Sequence, residues 1–180
     1  EIKASVYQAA NPTFILLLGP VFSWLWGAMG RRDPSAGVKF GLGLLQLAGG
    51  FACFWMGAKT ADANGMVGME WLLMGILLQT TGELCLSPVG LSAVTKLAVP
   101  SIVGVMMGAW FLFSAFGEMI AGRLGTWASI DPNPDGSIDK VKALGVYGDV
   151  FGDMMWIGVI AGVVLLILSP LLTRLTRERS

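Results

Sequence analysis

Two carboxylates and a few amides stand inside long apolar runs, and they define the chemistry open to this chain. Glu83 is the sharper of the two. It lies in Gln79-Thr80-Thr81-Gly82-Glu83-Leu84-Cys85-Leu86-Ser87-Pro88. Gln79, Glu83 and Ser87 are spaced four apart, so a helix carries them as one polar stripe. Pro88 has no N–H and crowds the preceding turn, which predicts a kink or loosening around Leu84. An ionisable side chain deep in a membrane span costs about 3 kcal/mol on insertion scales and needs a cavity or a partner. A polar stripe beside a helix break has the form of a mid-membrane binding site. The alternative for Glu83 is a structural hydrogen bond to a neighbouring helix.

The other candidates are less specific. Glu118 lies in Ser114-Ala115-Phe116-Gly117-Glu118, with Arg123 within two turns. Structural pairing and an outer gate both fit, and pairing is the plainer reading. Asn11-Pro12 opens the first apolar run, and Gln8 sits three residues earlier on the same face. Asparagine both donates and accepts, so Asn11 serves either as a turn or cap at a helix start or as a ligand contact. Trp110 is at mid-span, away from the usual aromatic belt; packing is the plainer role and a ligand wall the other.

Several chemistries are missing. There is no histidine, which excludes histidine-based catalysis and His-ligand metal sites. Cys53 and Cys85 both lie in apolar runs and read as small core residues. No phosphate-binding glycine loop or metal-ligand cluster is present. Ser87 has only Lys96 as an activating partner to consider. We therefore expect no catalytic residues, no metal and no cofactor.

These residues must be positioned by elements that tolerate lipid. Of 180 residues, 54 % are hydrophobic and 13 % charged, about half the usual charged share, and mean hydropathy is +0.69. Twelve Lys+Arg balance twelve Asp+Glu, so no nucleic-acid partner is expected. A bilayer core of about 30 Å takes ~20 apolar residues as a helix. Five segments qualify: 6–29, 38–56, 69–95, 102–127 and 150–172. They do not alternate as barrel strands would, so helices are required. The fold class is all-α, a polytopic membrane bundle. The chain starts at Glu1 shortly before an apolar run, and we expect a portion of a longer protein.

Basic residues orient the bundle. With the Arg31-Arg32 loop inside, that side collects seven: Arg31, Arg32, Lys39, Lys96, Arg174, Arg177 and Arg179. The other side collects five: Lys3, Lys59, Arg123, Lys140 and Lys142. The loop 127–148, with its Asp131-Pro132-Asn133-Pro134-Asp135-Gly136 turn chemistry, then faces outward. Trp55, Trp71 and Trp127 fall near outer ends, as interface anchors or as packing. Among 25 glycines, Gly41-x-Gly43, Gly49-Gly50, Gly104-x-x-x-Gly108 and Gly158-x-x-x-Gly162 invite close helix approach.

The same residues carry a family resemblance. Tyr7-Gln8-Ala9-Ala10-Asn11-Pro12, Gly19-Pro20-Val21-Phe22, Trp24-Leu25-Trp26 and Gly30-Arg31-Arg32-Asp33-Pro34-Ser35 resemble the eighth helix, and the loop after it, of the proton-dependent oligopeptide transporter family. Lys39-Phe40 and Gly41-Leu42-Gly43 follow in the same pattern. Gly82-Glu83-Leu84-Cys85-Leu86-Ser87-Pro88, continuing to Thr95-Lys96-Leu97 and Pro100, resembles its tenth helix, and Gly108-Ala109-Trp110-Phe111 its eleventh. The five spans would be helices 8–12 of a major facilitator fold, the last by position alone.

The resemblance implies proton-coupled symport of di- and tripeptides by alternating access in a bacterial inner membrane, with the proton as coupling ion. Glu83 would receive the peptide's amino end, Ser87 would be its neighbour one turn on, and Asn11 would contact the peptide backbone. Trp110 would shape the side-chain pocket and take part in gating; Gln8 and Gln79 complete the candidate set. The partners implied are the peptide, the bilayer and the N-terminal half of the transporter. That half, with the family's Glu-x-x-Glu-Arg motif, lies outside this sequence. Glu118 departs from the pattern, where an uncharged polar residue is expected. The rivals are another major facilitator carrier, for nitrate, drugs or a metabolite, and a membrane-embedded enzyme or scaffold subunit.

Overall fold

The computed structural model describes residues 4–62, 65–127, 129 and 139–177. The five apolar runs form five helices: α1 (Ala4–Met29), α2 (Ala36–Lys59), α3 (Met69–Leu97), α4 (Val103–Trp127) and α5 (Lys140–Arg177). Short 3-10 turns, Gly30–Arg32 and Pro100–Ile102, follow α1 and precede α4. No strand occurs among the described residues. Each helix is long and apolar enough to cross a membrane, as expected when hydrocarbon forces every backbone group to bond within its own segment.

Three local expectations change. Pro12 lies well inside α1, because the helix already begins at Ala4; Asn11 is therefore neither a turn nor a cap. Pro88 does not interrupt α3, which is helical from Met69 to Leu97. A single proline removes one ladder bond, and the flanking turns keep theirs. α5 starts ten residues before the apolar run at Val150. Asp139 starts it, its Oδ1 accepting from the N–H groups of Val141 and Lys142 at 3.1 Å each, an N-cap arrangement. At 38 residues and 1.5 Å per residue, α5 is about 57 Å long, so its ends extend beyond a bilayer core of about 30 Å. The proline-rich turn at 131–136 lies outside the described residues.

α2 is the central helix, packed between α5 and α3, while α1 and α4 lie against α3 over shorter lengths. Glycine makes both α2 seams. Toward α5, a Cβ on Gly41 would meet Leu166, and one on Gly158 would meet Ala48 at 3.0 Å. Toward α3, Gly43, Gly50 and Gly57 recur every seventh residue and face Gly82, Gly75 and Trp71. The seven-residue repeat keeps one edge of a helix turned to its neighbour. Trp71 is thus a packing residue. Trp55 carries the Lys59 ammonium 4.0 Å from its ring centre. The Trp127 side chain lies outside the described residues. The Gly104-x-x-x-Gly108 pair meets nothing within 4 Å, so it is not a seam here.

This close approach is testable. A Cβ on Gly82 would fall 2.7 Å from the carbonyl oxygen of Gly43, and backbone cannot swing aside. Gly82→Ala is expected to cost about 1–3 kcal/mol by overpacking, read as a lower thermal midpoint of the purified intact protein. Gly104→Ala, in open space, is expected to be neutral or mildly stabilising.

The ends of the bundle are chemically distinct. Ser35 and Ser169 share a hydrogen bond at 3.0 Å, which places the carboxyl-terminal part of α5, with Arg174, beside the Arg32 turn. Lys96, at the end of α3, borders the same cavity as Asp33 and Lys39. At the opposite end, Lys140 and Leu144 of α5 pack on Gly65. Of the basic residues assigned to one side by counting, Arg32, Lys39, Lys96 and Arg174 share one end of the fold, and Arg179 lies outside the described residues.

Candidate functional site

α1 and α3 bring two of the sequence candidates together. Asn11 Nδ2 donates to Glu83 Oε2 at 3.5 Å, a long and therefore weak bond. Glu83 is exposed on α3. Among the described residues, no cation pairs with it and Asn11 is its one hydrogen-bond partner. A carboxyl group in an apolar helix with one long hydrogen bond is only lightly held. Among the described residues it joins no ion pair and no wider hydrogen-bond network.

Three nearby polar groups have partners within the bundle. Thr80 is fully buried, and its Oγ1 donates to the Ile76 carbonyl at 2.8 Å. Thr81 Oγ1 donates to the Leu78 carbonyl at 3.0 Å. Gln46 Nε2 contacts Cys85 Sγ at 3.8 Å across the α2–α3 seam. Glu83, by contrast, has only the long Asn11 bond among the described residues.

The remaining candidates divide. Ser87 is half-buried one turn beyond Glu83, on the same stripe. Gln79 is turned elsewhere: a Cβ on Gly50 would lie 2.6 Å from its Cγ, so its stem sits in the α2–α3 seam. The Gln8 side chain lies outside the described residues. Trp110 covers Gly90, where any Cβ would run into its ring. It also meets Phe40 edge-to-face at 6.5 Å between centroids. Gly90 is seven residues past Glu83, about 10 Å along the helix. Trp110 therefore bridges α4 to α3 and α2 two turns away from the carboxylate.

Glu118 and Arg123 are both exposed on α4, and no ion pair joins them among the described residues. The expected structural pair is not formed. Five residues advance a helix by about 140° beyond a full turn, whereas paired side chains need a spacing of three or four.

The structure adds a cluster that sequence reasoning counted only as loop charge. Lys39 Nζ contacts both carboxylate oxygens of Asp33, at 2.7 and 2.8 Å. It also stands 4.5 Å from the Trp26 ring centre, a cation–π distance. The Lys39 side chain is only 9 % exposed. A lysine just inside an apolar run, six residues after an aspartate, was the available signal.

The POT family profile matches residues 1–134. "Dipeptide and tripeptide permease A" of Cronobacter turicensis is 37 % identical over 175 residues, 96 % of this chain and 34 % of the relative. "Peptide transporter YePEPT" of Yersinia enterocolitica is 43 % identical over 135 residues, 73 % of this chain and 26 % of the relative. A POT family transporter solved with a thioalcohol-conjugated peptide superposes with a TM-score of 0.75 at 29 % identity, over 91 % of this chain and 30 % of that one. Tetrameric PepTSo2 gives 0.72 at 29 % identity, over 94 % and 32 %. The chain spans about a third of the length of the curated relatives it matches.

Proposed function

Because this chain belongs to the POT family, we propose that it forms the carboxy-terminal bundle of a proton-coupled importer of di- and tripeptides in a bacterial inner membrane. The observation that carries this reading is the setting of Glu83: a carboxyl group on a membrane helix, with no cation partner among the described residues and one weak hydrogen bond from an asparagine. A peptide's α-ammonium supplies the missing charge. Its amide supplies both a donor and an acceptor for Asn11. The 3.5 Å bond between Asn11 and Glu83 costs little to exchange for contacts to a ligand.

In this reading Glu83 binds in its ionised form and Ser87 lies on the same stripe as a second polar contact. Trp110, seated on Gly90 and Phe40, couples α4 to the inner half of α3. The bundle rocks as a body against the rest of the transporter about a mid-membrane site, and α2, glycine-packed on two sides, keeps that body stiff. The Arg32, Lys96 and Arg174 end faces the cytoplasm. No group transfer is catalysed, no cofactor is needed beyond the coupling proton, and the partners are the peptide, the bilayer and the N-terminal half.

Competition for uptake by the intact transporter tests the substrate class. Unlabelled di- and tripeptides are expected to suppress labelled dipeptide uptake, whereas free amino acids and nitrate leave it unchanged. Suppression by nitrate or a free amino acid, with peptides inert, would reject the peptide reading in favour of another carrier of the same superfamily.

A further inference from the structure

A cavity of about 400 Å3 lies where α1, the start of α2 and the second half of α3 meet. Glu83 does not border it, but Leu84 does at its deeper end, and the cavity runs from there to the Lys96 end of the bundle. Its polar lining is Ser23, Trp26, Asp33, Lys39, Ser92 and Lys96. Asp33 is already taken by Lys39. Lys96 is exposed and has no carboxylate partner among the described residues, so the lining carries one uncompensated positive charge.

The neutral groups lean the same way. Trp26 Nε1–H is buried without a hydrogen-bond partner among the described residues, a deficit that costs about 1–3 kcal/mol. The lining thus contains an ammonium, an orphaned indole N–H and two serine hydroxyls, while its one carboxylate is occupied. What it lacks is an anion with several acceptor oxygens. The rest of the lining is largely apolar, and Asp33, Lys39 and Lys96 lie at the end of the bundle that carries Arg32 and Arg174. Basic pockets between transmembrane helices at such a rim suit anionic lipid headgroups.

We propose that this cavity is a headgroup site for one anionic phospholipid of the leaflet on the arginine-bearing side. Lys96 supplies the charge, Ser23 and Ser92 bond the phosphate oxygens, and a small shift of the Trp26 ring gives its N–H an acceptor. The acyl chains leave along the apolar wall. Lipid retention is read without peptide present, so it stands or falls separately from the transport reading.

Native mass spectrometry of the full-length transporter, titrated with phosphatidylglycerol and with phosphatidylcholine, tests this. One phosphatidylglycerol is expected to be held at least about fivefold more tightly than phosphatidylcholine, the worth of one basic residue at a membrane surface. Lys96→Ala is expected to erase the preference, and Trp26→Phe, which keeps the ring and loses the N–H, to weaken it. Lys96→Gln replaces Lys96→Ala should the latter lose its fold. Equal retention of the two lipids, or an unchanged preference in the Lys96 variant, would overturn the site. Displacement of the lipid by inorganic phosphate at the same concentration would overturn its lipid nature in favour of a free anion.

Discussion

Glu83→Gln is expected to lower concentrative uptake of a labelled dipeptide by the intact transporter about 10- to 100-fold, the value of one hydrogen bond to a charged group. The same variant is expected to melt at an equal or higher temperature than the parent. The two signs together distinguish binding from structure. A carboxylate that stabilises the bundle would lower the midpoint when neutralised. A carboxylate exposed on a membrane helix, with one 3.5 Å hydrogen bond and no cation partner among the described residues, costs free energy until cargo arrives. The amide removes that cost and loses the attraction for the ammonium. Glu83→Asp keeps the charge but withdraws it by one methylene, so it should fall between the parent and Glu83→Gln. Wild-type uptake by Glu83→Gln, or a clear drop in its melting temperature, would refute the binding role.

The second large effect is expected at the other end of the bundle. Asp33→Ala leaves the Lys39 ammonium, 9 % exposed, beside the Trp26 ring with no carboxylate partner among the described residues. Stranding one member of a fully buried pair costs about 3–5 kcal/mol. Asp33 is 37 % exposed, so water replaces part of its interaction, and we expect about 2 kcal/mol. The readout is the thermal midpoint of the intact protein. Lys39→Met in the Asp33→Ala background is expected to restore most of the loss, because an apolar chain of similar length packs on Trp26 without a charge to solvate. If the double variant is no more stable than the single, the pair is not the source of the cost. The turn itself should persist: Gly30 holds a φ of +47°, a conformation that glycine adopts readily, and the Asp33 N–H donates to the Gly30 carbonyl at 3.1 Å.

Glycine shows how far the sequence could be read. Gly158-x-x-x-Gly162 was legible as a packing motif and does meet α2, whereas Gly104-x-x-x-Gly108 has the same spacing and meets nothing. A small-residue pattern reports that close approach is permitted; it does not report whether a helix is there to approach. The productive α2–α3 seam was written at a seven-residue spacing, in Gly43, Gly50 and Gly57, and becomes visible once Gly75 and Gly82 are seen opposite. Glu118 and Arg123 show the converse, since nearness along the chain suggested a pair that helical rotation keeps apart.

The sequence by itself determined the element type, the five long apolar helices and the place of Glu83 within the third, and through its motifs the family resemblance. The reason is local: in hydrocarbon each segment must satisfy its own backbone, so length and composition suffice to make a helix. Only the tertiary structure decided that Asn11 reaches Glu83 from another helix, that Gln79 turns into a seam, and that Lys39 is buried against Asp33 and Trp26. Those outcomes depend on how each helix is rotated and set against its neighbours. That is fixed by the packing of whole faces, and no spacing within one helix encodes it.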